Sequence, residues 1–217
     1  MKQGALDLPV ETRFGRGDFL VSDSNRAAFD LVERWPDWPA RVLALYGPPG
    51  SGRTHLAHLW CGRSGAALVA GDDAAALNAP EALPAAVVVD NAERAPERAL
   101  FHLYNFCLER GGNLLLTLPT PPAALEIGLA DLASRLRSLP VVGIAPPDDA
   151  LLTAVLLKHF GDRGVAVAPQ VIAFLTARME RSFAAAAALA ARLDRLSLES
   201  GRGITLKMAR EVLATQG

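Results

Sequence analysis

Residues 47–54 read Gly47-Pro48-Pro49-Gly50-Ser51-Gly52-Arg53-Thr54. They fit the phosphate-binding pattern G-x-x-x-x-G-K-[ST], with Arg53 standing where lysine is usual. The glycines let the backbone curl until its N–H groups converge on phosphate oxygens, and the helix that follows adds its positive N-terminal end. Thr54 is placed to hold Mg²⁺ through its hydroxyl. Downstream, Asp90 closes the apolar run Ala85–Asp90, and an acid at that place holds Mg²⁺, usually through water. Asn91 follows, where an active ATPase often carries a second acid; an amide cannot act as that base. Glu93 is near in sequence, but its direction is not set by spacing. A lysine ammonium is compact, whereas guanidinium is larger, planar and bidentate, so Arg53 is not a conservative replacement. The expectation is nucleotide binding with weak or absent intrinsic hydrolysis.

These residues need a scaffold, and the chain supplies strands alternating with helices. Arg41–Tyr46 is an apolar run entering the phosphate loop and reads as a strand, with Gly52–Gly62 the helix leaving it. Ala66–Ala70, Ala85–Asp90, Asn113–Leu118 and Leu139–Ile144 read as further strands. Asn25–Trp35, Pro96–Arg110 and Ala130–Arg137 read as helices, the first capped by Ser24 and closed by Pro36. Alternation of this kind predicts an α/β fold, a parallel sheet covered on both faces, and continuously apolar strands suit that burial. Thr117 then sits at a strand's carboxyl end, facing the crevice where ligands bind in such sheets. There it can sense a γ-phosphate or simply precede the turn at Pro119.

After Pro146-Pro147 the texture changes. Asp148–Phe160, Pro169–Arg178, Ser182–Glu199 and Thr205–Leu213 are all helical in pattern, with no strand between them. Residues 1–18 carry Gly4, Pro9, Gly15 and Gly17 without helical periodicity and read as an extended tail. The organisation expected is a tail (1–18), an α/β nucleotide-binding base (19–146) and a small all-helical lid (147–217).

Composition narrows the class. The chain has 217 residues, a formal net charge of -1 and no global basic excess that would advertise nucleic acid. Cys61 and Cys107 have no metal-like spacing and read as small apolar residues of a reduced protein. No apolar run is long enough to span a membrane, and the N-terminus lacks a signal core, so a cytoplasmic protein is expected. His55, His58, His102 and His159 do not cluster. Trp35, Trp38 and Trp60 read as packing residues. On spacing alone, Arg135 and Arg137 are surface charges.

Taken together, several segments resemble the AAA+ region of the bacterial replication initiator DnaA, and within that DnaA-related family the Hda-type regulatory inactivators. Asp18-Phe19-Leu20-Val21 with Asn25–Phe29 is similar to the adenine-side segment. Gly47–Leu56, including His55, resembles the phosphate loop apart from Arg53. Val87–Asn91 resembles the metal-binding strand, whose second position tolerates an amide in Hda-type proteins. Leu132–Leu136 resembles the Leu-x-Ser-Arg-Leu box that carries an arginine finger, and Arg178–Phe183 resembles the lid helix carrying a phosphate-sensing arginine. The resemblance covers essentially the whole chain in order. It implies a P-loop AAA+ parallel sheet sandwiched by helices with a helical lid, ADP or ATP with Mg²⁺ as ligand, and Leu20 and Val21 beside the base. It makes Arg135 the finger and Arg178 the lid sensor. Arg181 competes with Arg178, since a spacing of three puts both on one helical side.

The resemblance also gives the tail a role. Gln3-Gly4-Ala5-Leu6-Asp7-Leu8 fits Gln-x-x-Leu-x-Leu, similar to peptides that bind the sliding clamp of DNA polymerase III. In an extended peptide Leu6 and Leu8 point the same way, towards one apolar pocket, with Gln3 at its far side. The family usually has leucine where Gly4 stands, which lowers the expected affinity. DnaA itself continues beyond its lid into a helix-turn-helix DNA-binding domain; this chain ends at Gly217, and no sequence-specific DNA binding of its own is expected. The implied function is stimulation of ATP hydrolysis by DnaA in trans, preventing re-initiation. Rival readings are a helicase-loader-like ATPase acting on DNA or a helicase, and a non-catalytic clamp-binding adaptor.

Overall fold

A computed structural model describes Gly15 and residues 19–215, the Ala74 side chain excepted. The clamp-like residues Gln3, Leu6 and Leu8, and most of the expected tail, lie outside the described residues. Chain order runs α1 (Arg26–Arg34), β1 (Val42–Tyr46), α2 (Arg53–Ser64), β2 (Ala67–Ala70), α3 (Ala74–Leu77), β3 (Ala86–Asp90), α4 (Glu97–Glu109), β4 (Asn113–Leu118), α5 (Ala130–Arg137) and β5 (Val141–Gly143). Then come four helices without a strand: α6 (Asp149–Asp162), α7 (Pro169–Thr176), α8 (Phe183–Ser200) and α9 (Leu206–Ala214).

The five strands form one parallel sheet in the order β2-β3-β4-β1-β5. The reason lies in the period of two along each strand. Val42, Ala44, Val87, Val89, Leu114 and Leu116 join one apolar cluster, with the inner sides of α4 and α5. Their neighbours Leu43, Leu45, Val88 and Leu115 join another, with α1 and α2. Each strand is therefore apolar at successive positions because both faces are covered. In the second cluster Trp60 is fully buried and stacks on Trp38, centroids 4.7 Å apart, with Trp35 edge-on at 6.5 Å. A third apolar cluster is drawn wholly from α6–α9 and their connections, among them Leu152, Leu156, Phe160, Leu175, Leu189 and Val212.

One local expectation is corrected. Asn25, not Ser24, is the N-cap residue of α1, and its side chain does not cap the helix. It turns back instead: its Nδ2 donates to the Leu20 carbonyl at 2.9 Å, and its Oδ1 accepts from the Ser22 amide at 2.9 Å. The short α3 carries no periodic pattern to read; its signal is Asp73, whose Oδ1 accepts from the Ala76 amide at 3.2 Å. Among the described residues no helix is long and apolar enough to cross a membrane.

Candidate functional site

The site forms at the carboxyl ends of the central strands. β1 runs into the loop 47–52, and α2 leaves it at Arg53. The loop's glycines are required by geometry. Gly50 and Gly52 have φ of +73° and +101°, which L side chains rarely adopt. At Gly47 the obstacle is space, since a Cβ there would stand 2.5 Å from the Ile144 carbonyl oxygen.

Because β4 lies between β1 and β3, Thr117 comes to rest between the phosphate loop and Asp90. Thr54 Oγ1 donates to Asp90 Oδ2 at 2.9 Å, and Thr117 Oγ1 donates to Asp90 Oδ1 at 2.6 Å. Thr117 Oγ1 also accepts from the Asn91 amide at 2.9 Å. Asn91 has φ +55°, the left-handed region asparagine tolerates. Its side-chain Oδ1 accepts from Arg53 Nη2 at 3.3 Å. The bonds thus run from Arg53 through Asn91, Thr117 and Asp90 to Thr54, the residue next to Arg53. Sequence reading identified these positions singly; the structure brings them into one hydrogen-bonded ring.

Arg53 is only 8% exposed. Burial lowers its pKa, partly countered by the negative charges of Glu93 and Asp90. Its Nη1 and the Ser51 hydroxyl are buried without any protein partner. A buried unpaired polar group costs about 1–3 kcal/mol, so both atoms call for an acceptor or donor from outside the chain. Donors of that kind on a glycine-lined loop fit a phosphate. Mg²⁺ fits as well: Thr54 spends its proton on Asp90 and keeps its oxygen lone pairs for a cation. Among the described residues no group of three or more His, Cys, Asp or Glu could hold a metal by itself. Any cation here would share its coordination with the phosphates.

The segment expected beside the base reaches the same loop. The Phe19 ring stacks on Phe29 at 5.6 Å and meets the His55 ring edge-on at 5.1 Å. A Cβ on Gly52 would stand 3.5 Å from that Phe19 ring. Leu20 and Val21 are half-buried behind it, with Leu20 held by Asn25, which sequence reading took as the first residue of a helix. Asn25 is 1% exposed.

Arg135 lies apart, at the end of α5. Its guanidinium donates to Asn105 Oδ1 at 2.6 Å and lies over the Phe101 and Tyr104 rings at 4.9 and 5.0 Å. All three partners belong to α4.

The lid arginines require a correction. Arg178 and Arg181 do not share a helical side: α7 ends at Thr176 and α8 begins at Phe183, so both stand in the connection. The break comes from Ser182, whose hydroxyl accepts from the Ala185 amide and starts a new helix. Arg178 lies over the Phe174 ring at 4.3 Å. Arg181 donates twice to Asp149 Oδ1, at 2.5 and 2.6 Å. Lid residues that do touch the loop are Ser182 and Phe183; the Phe183 amide donates to the Gly50 carbonyl at 3.2 Å.

Cys61 and Cys107 are unpaired thiols whose pKa values burial pushes up to about 11, as expected of apolar packing residues.

Comparison with known proteins follows this geometry. The family model "Hda, lid domain" matches residues 149–213. Domain III of the Thermotoga maritima replication initiation protein DnaA superposes with a TM-score of 0.78 at 16% identity, over 96% of this chain and 98% of that one. The Aquifex aeolicus DnaA bound to AMPPCP gives 0.69 at 17% identity, over 82% of this chain and 64% of that one. This chain therefore spans less than two thirds of that longer DnaA structure. The Thermotoga maritima RuvB Holliday junction branch migration motor gives 0.74 at 15% identity, over 94% and 72%. At these identities the structures speak for the fold, and the match over residues 149–213 speaks for the lid. The chain thus has the AAA+ fold seen in DnaA, and its residues 149–213 match the Hda lid domain.

Proposed function

We propose that this protein regulates bacterial replication initiation by binding an adenine nucleotide, ADP or ATP, and lending Arg135 to ATP held by DnaA. The observation that carries the reading is where Arg135 sits: half-buried against α4, bonded to Asn105 and to none of the loop residues. A guanidinium held there is arranged for a pocket other than its own. An arginine supplied in trans accelerates phosphoryl transfer by about 10³–10⁵.

The chain's own pocket supports the same division. The base (19–146) would hold the nucleotide through the amides of residues 47–54, with Arg53 Nη1 and Ser51 Oγ on the phosphates and the lid (147–217) closing over it. Thr54 and Asp90 would hold Mg²⁺, which neutralises phosphate charge when bound. Asn91 offers no base, and its carbonyl oxygen already accepts from Arg53. Intrinsic turnover is accordingly weak or absent. Gln3, Leu6 and Leu8 would dock the protein on the DNA polymerase III sliding clamp and bring it to the initiator.

Reconstitution tests this reading. DnaA–ATP, clamp loaded on DNA and this protein are combined with and without added nucleotide, and phosphate release is followed. Release is expected to depend on this protein and on the clamp. Arg135→Ala should abolish stimulation while leaving clamp binding intact. A variant that stimulates as well as the wild type would show that Arg135 is not the finger.

A further inference from the structure

We infer that Glu97 is a positioning residue for Arg135: its carboxylate seats the start of α5, and that seat sets where the guanidinium near the helix's other end stands. The inference rests on the role proposed above for Arg135 and deepens it.

α5 begins without a cap of its own. Leu129, its N-cap residue, has no side-chain oxygen to offer. The third helical position, where a glutamate often reaches back to the first amides, is Leu132, which is fully buried. Glu97 takes over that task from another helix. Its Oε1 accepts from the Gly128 amide at 2.9 Å and its Oε2 from the Leu129 amide at 2.7 Å. Bonds from amides to an ionised carboxylate are roughly twice as strong as those between neutral groups. Glu97 is also the first residue of α4, so one negative charge serves the positive ends of two helices.

The other end of α5 is held by the same helix. Glu97, Phe101, Tyr104 and Asn105 fall at i, i+4, i+7 and i+8 along α4 and form one stripe. Glu97 meets the start of α5, and the other three meet Arg135. Between these points the apolar packing is incomplete. A cavity of about 150 Å³ lies there, lined among others by Leu100, Leu116, Leu118, Leu125, Leu132 and Leu136. Side chains facing a cavity lack contacts on that side, which leaves a helix of eight residues room to shift. The two carboxylate bonds, more than the leucines, therefore fix how α5 sits on α4.

The test is the reconstituted reaction of DnaA–ATP, clamp loaded on DNA and this protein, with phosphate release followed as this protein is titrated. Glu97→Ala should lower the maximal stimulated rate by about tenfold or more, because a misplacement of about 1 Å can cost an oriented reaction about a hundredfold. The concentration giving half-maximal stimulation, and the Kd for ADP with Mg²⁺, should each stay within about threefold. Glu97→Gln keeps one acceptor and should fall between, about three- to fivefold below wild type. Thr205→Ala removes the hydroxyl that caps α9 in the lid and should stay within about twofold. Wild-type maximal rates with either Glu97 variant, alongside a silent Arg135→Ala, would overturn the positioning role and leave the reading of Arg135 standing. A change confined to the half-maximal concentration would make Glu97 a docking contact and overturn it as well. Equal losses with Thr205→Ala and Glu97→Ala would assign the effect to general stability, with the same consequence. Hydrogen exchange needs no variant: Gly128 and Leu129 amides exchanging at the free-peptide rate in the wild type would remove the seat. Full stimulation by Arg135→Ala, or none by the wild type, would remove the reading of Arg135 and this inference together.

Discussion

Thr117→Val is the most direct probe of the ring at the head of the sheet. The Thr117 side chain is fully buried. Its hydroxyl donates to Asp90 Oδ1 at 2.6 Å and accepts from the Asn91 amide at 2.9 Å. Valine keeps the shape and removes both bonds. The hydrogen bond to a charged group is worth roughly 1.5–3 kcal/mol, and the stranded amide costs about 1–3 kcal/mol. Against this, exchanging a hydroxyl for a methyl in an apolar setting returns about 1 kcal/mol. Asp90 also keeps Thr54 at 2.9 Å on its other oxygen, which limits the damage. The net loss is about 2–4 kcal/mol, out of a total stability of roughly 5–15 kcal/mol. For a protein of this size that is roughly 4–16 °C in Tm, at about 2–4 °C per kcal/mol. The assay is urea unfolding without nucleotide, with Thr117→Ser as the control that keeps the hydroxyl and loses only a methyl group, about 1 kcal/mol. Asp90→Asn in the valine background should cost less than in the wild type, because one of the carboxylate's hydrogen bonds is already gone. A Thr117→Val protein within 0.5 kcal/mol of wild type, or strict additivity with Asp90→Asn, would refute the ring as a coupled unit.

Asn25→Ala should cost about 2 kcal/mol, since it leaves the Leu20 carbonyl and Ser22 amide without their partner; it should also weaken adenine-nucleotide binding by loosening Phe19 on Gly52, and calorimetry that found both unchanged would contradict the role given to it. Wild-type protein with Mg²⁺ and ATP should turn over well below about 1 per second, the low end of the range typical of kinases; steady-state turnover inside that range would refute the silent pocket argued from Arg53 and Asn91. His159 in α6 has its pKa lowered by burial first, then by Arg163 and Lys158 against the pull of Asp162. The unfolded chain therefore binds the proton more readily, and the stability this neutral imidazole confers is present above about pH 6.5 and lost as pH falls through the depressed value. Urea midpoints between pH 7.5 and 5.5 should fall more steeply for wild type than for His159→Gln, and parallel slopes would exclude the effect.

Much of the site was legible because its residues serve local geometry. The glycines of the phosphate loop answer to their own φ angles, and Asp90 and Thr117 reveal themselves as polar residues ending apolar strands. Strands were legible for a related reason: a strand covered on both faces cannot afford a polar position until its end, so Asn113–Leu118 reads the same in sequence and structure. What was not legible is long-range. Nothing in the local sequence says that β4 inserts between β1 and β3, yet that order alone puts the Thr117 hydroxyl on Asp90 and Asn91. The lid arginines failed for the opposite reason. The sequence carries a helix from Pro169 to Arg178 and sets Arg181 on the same side, but α7 ends at Thr176, so both arginines fall in the connection before the Ser182 cap.

Hydrolysis in a pocket of this fold needs a cation that can follow charge onto the transferring phosphate, and a base that can orient water. Arg53 is tied by one nitrogen to Asn91, and Asn91 is fixed in turn by a left-handed backbone whose amide is spent on Thr117. The negative charges of Glu93 and Asp90 offset part of the effect of burial on the same guanidinium. Each departure from an active arrangement thus supports the next: an amide at 91 accepts from a guanidinium at 53, where an acid would form an ion pair and draw that guanidinium off the phosphate. On the proposed reading, such a pocket retains its nucleotide as a structural part, and Arg135 is braced against α4 by Phe101, Tyr104 and Asn105 for use in another protein's site.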